Sequence, residues 1–162
     1  MDWAEATMDE PADLQMAPGP PARLFTPEEA SALVPTLEAI LRRMDLELAR
    51  QRELKELIED QEAYWGPAVR EPTNPDHGTY AQLLRELEDV RTFLERDAEE
   101  IRRLGCELKD PYLGLVDFHA WVGGDRVLLC WQRGERQVSH YHTREAGYAG
   151  RKPIPRDARA ES

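Results

Sequence analysis

Leu33, Leu37, Ile40, Met44, Leu48, Leu54 and Ile58 recur at spacings of mostly three and four, which predicts an amphipathic helix running to about Glu62. The residues before it carry a start signal. Thr26 is placed to accept from the amide of Glu29, Glu29 to accept from the amide of Thr26, and Pro27 falls at the first helical position, where a missing N–H costs nothing. Pro35 interrupts the pattern, so the helix should kink there or shed its first turns. A second stripe, Tyr80, Leu83, Leu87, Val90, Leu94, Ile101 and Leu104, follows a/d spacing and ends at Gly105, a C-terminal cap. Asp97 is the break in that seam. Between the stripes, "AYWGPAVREPTNPDHG" has three prolines, two glycines and no period, and predicts a loop of about fifteen residues.

The last third changes period from near four to two. "LVDFHAWV", "RVLLCWQ" and "QVSHYHT", separated by "GGD" and "RGER", read as a three-stranded antiparallel meander. A two-residue turn at Gly123-Gly124 sets Val116, Phe118 and Ala120 opposite Trp131, Leu129 and Val127, an apolar face throughout. The second turn leaves two registers open. An even loop puts Val138, His140 and His142 on that apolar face, with Asp117, His119, Leu128, Cys130 and Tyr141 on the other. An odd loop brings Cys130 together with the two histidines.

The expected fold is therefore α+β, a long antiparallel two-helix hairpin packed on a small three-stranded antiparallel sheet. Residues 23–154 form one domain, with the hairpin at 27–105, the meander at 114–143 and a C-terminal loop at 144–154. Residues 1–22 read as a disordered acidic tail and 155–162 as a flexible one, because neither has the apolar period that would offset the entropy of ordering. So small a sheet covers only part of two such helices. Leu54, Leu57, Ile58, Leu83 and Leu87 should then need a second copy, which predicts a homodimer.

Composition narrows the partners. The chain has 162 residues and a formal net charge of -11. That field repels phosphate backbones and anionic lipid heads, which argues against nucleic acid and membrane surfaces. No basic, apolar leader and no long apolar run occurs, so a cytoplasmic protein is expected. Cys106 and Cys130 lie outside any CxxC spacing and are expected as free thiols.

Three clusters could carry chemistry. His140 and His142 are two apart, so on a strand both imidazoles point one way and suit Zn or another transition metal. A third ligand would come from Asp97 if they face the helices, or from Cys130 if they face away. Asp117, His119 and Cys130 form a second set with the residue types of a nucleophile, base and orienter. A thiol in mid-strand, however, lacks the helix N-terminus that would activate it. In "AGYAGRKP", Gly147, Gly150 and Arg151 are the candidate anion-binding residues. The structural alternatives are a hydrogen-bonded His142, a rim His140, a solvated Asp97 and a tight turn docking Tyr148.

The strings "RLFTPEEASALVPTL", "LGCELKDPYLGLVDF", "LCWQRGE" and "YHTREAGYAGRKPI" resemble, in order and spacing, the bacterial and archaeal domain-of-unknown-function family twenty-two-oh-three, over about residues 23–154. The resemblance implies the same fold unit and matches Tyr141, His142, an acid near Glu145, and Gly147, Gly150 and Arg151. His119, where the family pattern has proline, and His140 depart from it. Some members carry a cell-division-initiation label, which tracks long acidic helices and not a site. Two functions follow as expectations: a small accessory or interaction protein, homodimeric through its helices with a further protein partner open, or a transition-metal protein, a hydrolase or oxidoreductase, centred on His140 and His142.

Overall fold

The computed structural model describes residues 23–155. The tail expected at 1–22, and all but the first residue of the one expected at 155–162, lie outside the described residues. The fold is α+β with an antiparallel sheet, but the described residues form three α-helices and five strands in place of two and three.

Helix α1, Pro27–Ala32, opens on the expected capping box: Thr26 Oγ1 accepts from the Glu29 amide at 3.1 Å and Glu29 Oε1 from the Thr26 amide at 3.0 Å. At Leu33 the chain turns into α2, Val34–Trp65, whose early Pro35 is tolerated because the first turn of a helix needs no donor there. Proline thus splits off the first turns. At about 1.5 Å per residue α2 is about 48 Å long. Gly66, at φ 60°, ends it, and the segment expected as an open loop is fastened down. A 3-10 turn at Gly66–Arg70 drives Val69 into the core, His77 Nδ1 meets the Val69 carbonyl at 3.0 Å, and Trp65 Nε1 donates to Asp76 at 2.7 Å. Helix α3, His77–Arg103, then returns along α2. Arg43 binds Asp97 and Glu100 while Arg50 binds Glu86, so the two helices run in opposite directions.

Strands β1 (Glu107–Asp110), β2 (Leu115–Val122), β3 (Asp125–Gln132), β4 (His140–His142) and β5 (Lys152–Pro153) pair in that order, each antiparallel to the next. The β2–β3 register is the expected one, Phe118 opposite Leu129 and Val116 opposite Trp131. Gly123 and Gly124, at φ 59° and 83°, form a two-residue turn that L-residues enter only under strain. The two additional strands gave little sequence signal. β1 is "ELKD", a charged edge, and β5 is two residues long with proline at the sheet's rim.

The second turn takes the odd register: Leu128 pairs with His142, Leu129 with Tyr141 and Cys130 with His140. Tyr141 therefore packs against the core, and both histidines lie on the outer face with Asp117, His119 and Cys130. Val138 nonetheless stays in the core, its amide on Ser31 Oγ at 2.9 Å, because strand alternation is not continuous from 138 to 140.

One core joins helices and sheet. Phe118, Leu129 and Trp131 on the sheet belong to the same buried cluster as Leu37, Ile40, Leu41 and Met44, and Phe25 stacks edge-on against Phe118 at 5.1 Å. Leu54, Ile58 and Leu87 are buried within a single chain, Leu83 is half-buried and Leu57 is exposed. Most of the stripe expected to need a second copy is thus already covered.

Candidate metal centre

The outer face of the sheet is where chemistry-bearing side chains collect. Because alternate residues of a strand share a face, Asp117 from β2, Cys130 from β3 and His142 from β4 all point away from the helices. They are 4, 1 and 5 % exposed, and one ligand atom from each lies within 4.8 Å of the others. Carboxylates and imidazoles are seldom so buried unless they are paired or bound to something.

The imidazole is fixed from both sides. His142 Nδ1 lies 2.8 Å from the Thr143 carbonyl, an acceptor only, so Nδ1 carries the hydrogen. Nε2 then faces both carboxylate oxygens of Asp117 at 3.2 Å. A bare nitrogen lone pair against a carboxylate repels, so the gap must hold either a proton or a cation. Burial pushes the Asp117 carboxyl above its usual value, with the adjacent His142 pulling the other way. Burial also pushes the Cys130 thiol up to about 12, reinforced by the Asp117 charge. The thiol is therefore protonated at neutral pH, and the nucleophile reading of Asp117, His119 and Cys130 loses its thiolate.

Beside the three lies a second pair. His119 Nε2 stands 3.6 Å from Glu107 Oε1, and Glu107 also binds Lys109 at 2.8 Å. Burial works against the Glu107 charge, but Lys109 and His119 outweigh it and hold the carboxyl below its usual value. A cleft of about 830 Å³ opens over this face, reaching Asp117, Cys130, His142, His119, Lys109 and Arg144.

The family model described as an uncharacterized conserved protein, DUF2203, matches residues 23–154, nearly all of the described chain. The chain belongs to the DUF2203 family. Neither the curated proteins nor the solved structures offer a match. No helix among the described residues of this DUF2203 member is long and apolar enough to cross a membrane.

The remaining expected site residues of this DUF2203 chain are placed elsewhere. Asp97 is buried at the helix interface and takes two bonds from Arg43, at 3.0 and 2.6 Å, so it is a partner of that guanidinium and not of the histidines. His140 sits across from Cys130 in register, but its ring turns toward Ser139 Oγ at 3.1 Å and Glu135 at 3.6 Å, outside the group of three. Arg151 is spent internally. Its Nη2 binds both oxygens of Glu135, at 3.0 and 2.9 Å, and approaches the Cys130 carbonyl, while its Nε is buried without a hydrogen-bond partner. Gly147 and Gly150 bracket the short turn that carries Tyr148, and a Cβ on Gly150 would meet Ala146 at 2.6 Å, a packing role. Both cysteines are free.

Sequence reasoning had named Asp117, Cys130 and His142, but in two separate clusters. The parity of the β3–β4 connection was the deciding signal, and a loop whose ends depart from strand geometry hides its parity. Glu107 and Lys109 were missed because the residues between the hairpin and the meander, where β1 lies, were assigned no element.

Proposed function

We propose that this protein binds a transition metal, most plainly Zn²⁺, through Asp117, Cys130 and His142. The observation that carries the reading is the His142–Asp117 geometry. A tetrahedral ion with bonds of about 2.0 Å to nitrogen and oxygen sets neighbouring ligand atoms about 3.3 Å apart, and His142 Nε2 lies 3.2 Å from each Asp117 oxygen. The other ring nitrogen is held on a backbone carbonyl, the usual arrangement behind a metal-bound imidazole. Nitrogen, oxygen and sulfur together are a donor set that zinc accepts. Three protein ligands leave a fourth position, which would face the cleft. Open sites of that kind polarise a bound water or carbonyl, so a metal-dependent hydrolase is the reaction class they fit.

The competing reading seats a partner or second copy on the helices and has for support the exposed Leu46, Leu57, Tyr64, Leu84 and Phe93. These are dispersed. Leu46 and Leu57 share one face of α2 but are about 16 Å apart at the helical rise, with the Arg50–Glu53 ion pair between them. Leu84 and Phe93 point to opposite sides of α3, nine residues apart.

Metal analysis by inductively coupled plasma mass spectrometry tests the reading on untagged full-length protein, stripped with chelator and then dialysed against zinc. Near one zinc per chain is expected, with uptake lost in Asp117→Asn and in Cys130→Ser, two variants close in shape to the parent. Uptake that survives both substitutions, or none in the parent, overturns it.

A further inference from the structure

The charges around the cleft do not cancel. Glu107 is matched by Lys109 at 2.8 Å, and Asp117 by His142 at 3.2 Å. Arg144, which also lines the cleft, has no hydrogen bond or ion pair among the described residues. Glu145, next along the chain, lines a neighbouring hollow of about 700 Å³ and not this one. Arg144 and His119 line both, so Arg144 borders the two hollows. With a divalent ion bound by one carboxylate, one thiolate and a neutral imidazole the centre itself is neutral, and the cleft keeps one positive charge.

The position of Arg144 is tied to the centre. The Thr143 carbonyl that accepts from His142 Nδ1 also accepts from the Gly147 amide at 3.3 Å, and Thr143 Oγ1 accepts from the Ala146 amide at 3.2 Å. The turn bearing Arg144 is thus fastened to the same imidazole that would hold the metal. A guanidinium offers a planar fork of donors matched to carboxylate and phosphate oxygens, and an unpaired one beside a metal's open position supplies the second point of a two-point oxyanion site. Elsewhere the chain is strongly acidic, with a net charge of -11, so such a site would be a local exception to a repelling field.

We propose that the cleft over Asp117, Cys130 and His142 binds a small oxyanion, a carboxylate or a phosphate, held between the metal's open position and the Arg144 guanidinium. This rests on the metal reading above and adds to it the class of ligand.

Full-length protein loaded with Co²⁺ in place of zinc gives a visible spectrum that responds to the fourth ligand. Inorganic phosphate and, separately, acetate are titrated in. The expected result is a saturable change in the cobalt bands with at least one of them, and the responding anion assigns the class. In Arg144→Gln the apparent Kd should rise about tenfold or more, with Arg144→Lys between the two, because a lysine keeps the charge and loses the fork. Arg144 is exposed, so its variants should load cobalt as the parent does. Bands that ignore both anions, or that respond equally in Arg144→Gln, overturn the oxyanion site while leaving the metal in place. Failure of the parent to take up cobalt at all overturns the metal reading and this one with it.

Discussion

The two faces of the β2–β3–β4 sheet are made by the same three strands and could hardly differ more. Facing the helices, Phe118, Leu129 and Trp131 are wholly buried and apolar, and Trp131 Nε1, its one polar atom, donates to the Glu135 carbonyl at 2.9 Å. On the reverse, one residue along each strand, Asp117, Cys130 and His142 are nearly as buried but carry three ligand-capable groups. Burial on the first face is explained by the hydrophobic effect alone. On the second it works against the groups it hides, raising both the Asp117 carboxyl and the Cys130 thiol. Equal burial with opposite energetic sense is the best internal sign that the outer face is kept for something other than packing.

Substitutions on neighbouring residues should separate the faces. Phe118→Ala removes a fully buried ring and its contact with Phe25, and should cost about 3–5 kcal/mol. Chemical denaturation would measure the loss, and zinc stoichiometry well below the transition should be unchanged. If Phe118→Ala abolished metal uptake in the folded protein, the two faces would not be independent. Zinc itself is the next largest effect. At a hundredfold excess over Kd it should add about 2.7 kcal/mol, an increase in Tm of about 10 °C. In Asp117→Asn the increase should vanish, which a thermal scan with and without zinc would show.

Two smaller changes probe how the apolar face is held to the helices. Thr26→Ala removes half of the capping box beside Phe25 and should cost about 1 kcal/mol. Smallest is Asp45→Asn. The Arg133 guanidinium, at 2.7 and 2.9 Å, holds the Asp45 carboxyl below its usual value, so the pair stabilises the fold above the ordinary aspartate range and is lost as pH falls through the lowered value. Asp45 is about half exposed, and the contribution should be only a few tenths of a kcal/mol. Denaturation midpoints of the parent and Asp45→Asn should therefore differ slightly at neutral pH and converge in acid. A gap that widens in acid would contradict this.

Local chemistry was legible in the sequence. The capping box at Thr26 and Glu29, the two apolar stripes, the break at Pro35 and the Gly123-Gly124 turn each depend on residues a few positions apart, and each appears as read. So does the apolar face of the first hairpin, because a two-residue glycine turn fixes register without outside help. Pairings between distant parts of the chain were decided by tertiary structure. Asp97 interrupts its seam because Arg43, distant in sequence on the other helix, meets it there. Glu107 joins the outer face because a charged four-residue strand found an edge to pair with. Whether His142 met Cys130 or Asp97 turned on the parity of one irregular connection. Side chains on a strand alternate with a period of two, so a shift of one residue moves each of them to the opposite face. The sequence determined which residues could form a site, and only the paired strands of the folded sheet decided that Asp117, Cys130 and His142 share one face.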